Sequence, residues 1–187
     1  MVLTTRIKND LTESKINLKV ASLFIPVAFF TYLFHECGHW IVGELLGNAM
    51  HMGLNEANAI SGTYAGKTDN LYISMGGPAF TILQAALFLE VLEITKSIYA
   101  YPFVFFAAFS RFFSLVFGGF SLQDEARITF VPGAGSYLAA AIVIAVLFGL
   151  LWRSSYLLKL NLKAIGYYIM LSTLGILIVI GVNKLIM

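Results

Sequence analysis

Residues 21–46 read ASLFIPVAFFTYLFHECGHWIVGELL, long and apolar enough to cross a bilayer, for which a helix needs about 20 mainly apolar residues. Residues 71–90, 99–120, 136–152 (slightly short) and 164–182 qualify on the same ground. Lipid offers no hydrogen bonds to a bare backbone, so each stretch is expected to be helical. Composition agrees with this reading. The 187 residues are 59% hydrophobic and 12% charged, whereas a soluble domain carries about a quarter charged residues. Too few polar groups exist to cover a water-facing surface. The expected fold is an all-α, multi-pass integral membrane protein, a polytopic bundle of about five transmembrane helices whose natural solvent is the lipid bilayer.

The segments between these stretches are read in the same way. Residues 1–20 have no continuous apolar core and no small-residue cleavage site, so they read as a basic tail with a short interfacial helix and not as a secretory signal. Residues 47–70 mix Met, Leu, Ile and Tyr with Gly and Asn turn residues, which predicts a short β-hairpin-like loop after the first span. With the N-terminus in the cytoplasm, eight basic residues (Arg6, Lys8, Lys15, Lys19, Lys96, Arg153, Lys159, Lys163) face that side. Three (Lys67, Arg127, Lys184) face the other. This bias favours an N-terminus-in topology. A net charge of +2, scattered along the chain, gives no surface for nucleic acid. The single cysteine, Cys37, excludes an internal disulfide. Nothing in the sequence specifies an oligomeric state.

The chemistry sits inside the first span, at His35-Glu36-Cys37-Gly38-His39. His-Glu-x-x-His stacks two imidazoles one helical turn apart on a single face, a separation at which both reach one zinc ion. Glu36, beside the first imidazole, is the candidate general base for the attacking water. The competing reading is two membrane histidines that lie four apart without a ligand. Ionisable groups near the bilayer centre each cost several kcal/mol, however, and three within five residues call for compensation. A divalent cation supplies it. Cys37, about 200° around the helix from His35, is expected to face away from the metal. Gly38 either lets a neighbouring helix or substrate approach or serves plain packing.

Catalytic zinc needs a third protein ligand. In a bundle of alternating spans the first and third run parallel, which returns the chain after the third span to the side of the motif. Asp124 is therefore the leading candidate, with Glu125 its nearest rival and His51, in the loop, a weaker one. Arg111, inside the third span, is read as a partner for Glu44 or for a site carboxylate.

These residues resemble the site-2 protease family of intramembrane zinc metalloproteases. The similarity rests on His35-Glu36-x-Gly38-His39 in an apolar helix, on Gly76-Gly77-Pro78 in the next span, and on an acidic residue 85 positions (124 − 39) beyond the second histidine. It covers roughly residues 21–128, within a three-span metalloprotease core at 21–130. The tail (1–20) and two C-terminal spans (131–187) lie outside it. The resemblance implies a zinc-dependent endopeptidase that hydrolyses peptide bonds in or near the transmembrane segments of a membrane-protein substrate. It implies Glu36 as base, His35, His39 and Asp124 as zinc ligands, and Gly76, Gly77 and Pro78 along the substrate. The chain differs from the family pattern in having Gln123-Asp124-Glu125 in place of Asn-Pro-Asp-Gly, Thr81 where many members place asparagine, and no PDZ-like insert. The family's site is generally reached from near the cytosolic face, whereas the charge count puts the motif nearer the other.

Other functions are weighed on the same residues. The motif also resembles the first histidine box of membrane fatty acid desaturases, but three histidines cannot supply the roughly eight such a di-iron centre uses. A metal transporter would need ionisable residues on several spans. The main alternative is a non-catalytic metal-binding membrane protein, an inactive relative acting on transmembrane partners. Against it, a purely structural zinc site has no need of Glu36.

Overall fold

The computed structural model describes residues 2–128 and 137–186. Among them five helices are long and apolar enough to cross a membrane: α2 (Leu18–Leu45), α3 (Asp69–Thr95), α4 (Tyr101–Phe117, led in by a 3-10 turn from Ile98), α6 (Tyr137–Leu157) and α7 (Leu162–Ile186). The short helix α1 (Val2–Glu13) precedes them, and a four-residue helix α5 (Asp124–Arg127) follows α4. The strands β1 (Met50–Met52) and β2 (Ala57–Ala59) pair antiparallel, with His51 opposite Asn58. This is an all-α polytopic bundle with the expected hairpin after the first span. The start of the fourth span at residue 136 and the domain boundary at 130–131 fall outside the described residues.

Local chemistry sets the ends of these helices. The Asn17 side chain caps α2 by accepting the Val20 N–H at 2.9 Å, and Asn161 caps α7 through Ala164 in the same way. At its other end α2 stops before Gly47, which has φ +83°, the left-handed conformation in which helices commonly terminate. The third span ends at Phe117, three residues before its expected limit, because the chain turns at Gly118 and Gly119. The fourth runs on to Leu157, past the expected 152, carrying Arg153 to an exposed ion pair with Glu93.

The buried centre is aromatic. Tyr168 of α7, fully buried, meets Tyr101 of α4 at 4.8 Å between ring centres and Phe24 of α2 at 5.5 Å. The last span thus shares the core of the first and third, while Val143 and Leu147 of α6 pack in a second cluster with Ala85 and Val104. Residue α1 Asp10 is tied to Lys163 of α7 at 2.9 Å.

The feature that positions the site is the approach of α2 to α3. Gly38 and Gly76 face each other so closely that a Cβ on Gly38 would lie 2.7 Å from the Gly76 carbonyl carbon and 2.8 Å from the Phe80 ring. Small residues at a helix crossing let two backbones touch, which is how apolar helices associate where water gives no drive. The contact falls within the His-Glu-x-x-His turn, so α3 itself forms one wall of the site.

Candidate metal centre

Helix α2 carries His35 and His39 on one face, one turn apart, and both point into the bundle. Their side chains are 10% and 7% exposed. Each ring is held from behind. The Thr81 hydroxyl donates to the Gly77 carbonyl at 3.1 Å and accepts from His35 Nδ1 at 2.9 Å. His39 Nδ1 donates to the Ile73 carbonyl at 2.6 Å. The Gly77 N–H, the helical partner of that carbonyl by position, lies 3.3 Å from the same His39 Nδ1.

With both Nδ1 atoms donating, the two Nε2 atoms are left as acceptors, and they stand 3.2 Å apart. The Asp124 carboxylate adds a third, with Oδ2 at 3.1 Å from His35 Nε2 and 3.3 Å from His39 Nε2. Three acceptors facing one another repel unless a cation offsets them; Arg111 borders two of them, at 3.3 and 3.5 Å, and a metal ion would reach all three. Ligands about 2.0–2.1 Å from a tetrahedral zinc stand about 3.3 Å apart, so the donor set and its spacing both fit that ion. Among the described residues these three form a group able to hold a metal.

Glu36 is buried beside the first imidazole. It lines a cavity of about 430 Å3 together with His39, Asp124, Ser74 and, from the hairpin region, Asn55, Glu56 and Asn58. A smaller cavity of about 50 Å3 adjoins the same glutamate, bordered by His35, Thr81, Ser110 and Arg111 among others. That volume accommodates ordered water. The imidazoles therefore face cavities inside the bundle and not its outer surface.

The structure brings Asp124 to the imidazoles in preference to its two rivals. Glu125 turns the other way and is fully buried against Arg111, with Oε2 at 2.6 Å from Nη2 and Oε1 at 3.2 Å from Nε. His51 lies exposed on β1. Arg111 thus pairs with carboxylates next to the site; Glu44 instead accepts the Met50 N–H at 2.8 Å. Cys37 is partly exposed and outside the metal group.

Gly76, Gly77 and Pro78, which the resemblance puts along a substrate, are buried in α3 and are not among the residues that line the larger cavity. Gly77 leaves room beside the Nε2 atoms, since a Cβ there would come within 2.5 Å of His35 Nε2. Two contributors went unread in the sequence. Thr81 had a signal, because it lies one turn beyond Gly77 on the same face of α3. The Ile73 carbonyl had none, being backbone.

No protein-family model matches the sequence, and comparisons with characterised proteins and with solved structures give no match.

Proposed function

We propose that this chain is a multi-pass membrane protein and a zinc-dependent intramembrane endopeptidase of the site-2 protease type. The observation that carries the reading is the convergence of two imidazole Nε2 atoms and one carboxylate oxygen, 3.1–3.3 Å apart, beside a buried glutamate in a polar cavity. A zinc ion, when bound, supplies Lewis acidity and lowers the pKa of water to about 7.

The chain's own residues supply the rest. Glu36 takes a proton from the attacking water and delivers it to the leaving amide nitrogen. Thr81 and the Ile73 carbonyl fix the tautomer of each imidazole, so that both Nε2 lone pairs face the centre. A substrate helix must unwind before attack, because its carbonyls are hydrogen-bonded. The β1–β2 hairpin, whose Asn55, Glu56 and Asn58 wall the cavity, offers polar groups and a strand edge to the extended segment.

Metal analysis of the purified protein, combined with cleavage of reconstituted single-span peptides, tests the proposal. Wild type is expected to hold about one zinc per chain, and His39→Ala to lose it. Glu36→Gln should retain the metal and cleave at least about 100-fold more slowly, the usual contribution of a general base. A metal-free wild type would overturn the reading. Cleavage by Glu36→Gln at the wild-type rate would leave the non-catalytic alternative in its place.

A further inference from the structure

Arg111 is a cation in the middle of the apolar helix α4, and its side chain is 8% exposed. Burying such a group requires a partner, and Glu125, with a side chain wholly shielded, provides a two-pronged one. The guanidinium does not stop at that pair. Its Nη1 lies 3.3 Å from His35 Nε2, and its Nη2 lies 3.5 Å from Asp124 Oδ2. One planar group therefore touches the candidate third ligand, the residue after it, and the first imidazole. It reaches them from the inner cavity; the larger cavity, where a substrate would sit, is lined by His39, Glu36 and Asp124 without it.

The carrier of Asp124 is a short helix. Helix α5 is four residues long and follows the turn at Gly118–Gly119. A helix this short cannot fix a side chain by its own hydrogen bonds. Its neighbour Arg127 is half exposed and 3.9 Å from Asp124 Oδ1, too distant to direct it. Packing against α3 and α6 seats the helix, and the polar tie from it to α4 is Glu125.

We propose that the Arg111–Glu125 pair is a positioning clamp that ties α5, which packs against α3 and α6, to α4 and thereby aims Asp124 at the two imidazoles. The clamp acts through Asp124 and makes no contact with substrate. Its role in metal binding rests on the proposed metal site; the docking of α5 does not.

The test uses Arg111→Gln/Glu125→Gln, which removes both charges together and leaves no lone buried ion. Zinc affinity, read by chelator competition, should fall about tenfold or more, as it does when the partners of a ligand are removed. In an Asp124→Ala background the same pair of changes should make no further difference. The visible spectrum of the cobalt-loaded double variant should shift toward that of Asp124→Ala. Arg111→Lys, which restores charge but not the fork, should recover only part of the affinity. Trypsin, applied in chelator, should cut after Arg127 faster in the double variant than in wild type. Unchanged zinc affinity overturns the clamp, and so does a loss that adds in full to that of Asp124→Ala. A wild type that takes up no metal would sink the hydrolase reading instead. The tryptic comparison then decides the clamp: faster cutting supports it, and equal rates overturn it.

Discussion

Thr81 does at residue scale what composition cannot show. Its one hydroxyl hydrogen is spent on the Gly77 carbonyl, which leaves an oxygen lone pair for His35 Nδ1 and so turns Nε2 toward Asp124. Thr81→Val keeps the shape and removes the acceptor. Metal affinity is expected to fall about 10- to 100-fold, with the fold retained and Thr81→Ser restoring the loss; chelator competition measures both. The two imidazoles and Glu36 were legible in the sequence because their spacing is a property of any helix. The choice between Asp124 and Glu125 was not. Adjacent carboxylates on one short helix point apart, and which one faces the imidazoles depends on where Arg111 draws the other.

Among the elements, α2 and α3 carry the site between them, and their contact is set by the absence of side chains. Gly38→Ala puts a methyl group 2.7 Å from the Gly76 carbonyl carbon, and neither backbone can yield without moving the imidazoles. A loss of about 1–3 kcal/mol is expected for such overpacking, seen as a lower melting temperature in detergent. Gly149→Ala on α6 serves as the contrast. Nothing lies within 4 Å of the added methyl, and alanine favours a helix by about 1 kcal/mol over glycine, so stability should hold or rise. The five helices themselves followed from length and hydropathy alone. Their ends shifted by a few residues where caps and glycines, and not apolar content, decide the stop. The burial of Gly76, Gly77 and Pro78 was hidden because a Gly-Gly-Pro run says that backbone comes close, without saying to what.

At the scale of the whole molecule, topology and charge bear on which side of the membrane the cavity opens. The hairpin lies at the same end of the bundle as α5, since both border the larger cavity. With eight basic residues against three, that end is expected to face away from the cytoplasm. A cysteine at Ser61, exposed in the hairpin's outgoing segment, tests this in a Cys37→Ser background. A membrane-impermeant thiol reagent should label it from the outer side of intact cells. Labelling only after the membrane is opened would reverse the topology. The role of the last two spans could not be read from motifs, because their contribution is packing: Tyr168 fills the centre between α2 and α4.

His39 and Asp124 stand 85 positions apart (124 − 39) in the chain, yet their side-chain atoms nearly touch. A polypeptide still emerging from the ribosome, with its first two spans inserted, owns the imidazoles and the glutamate but not the carboxylate that joins them. Whatever chemistry the finished centre performs, the nascent chain is spared from it until the third span and α5 have been made.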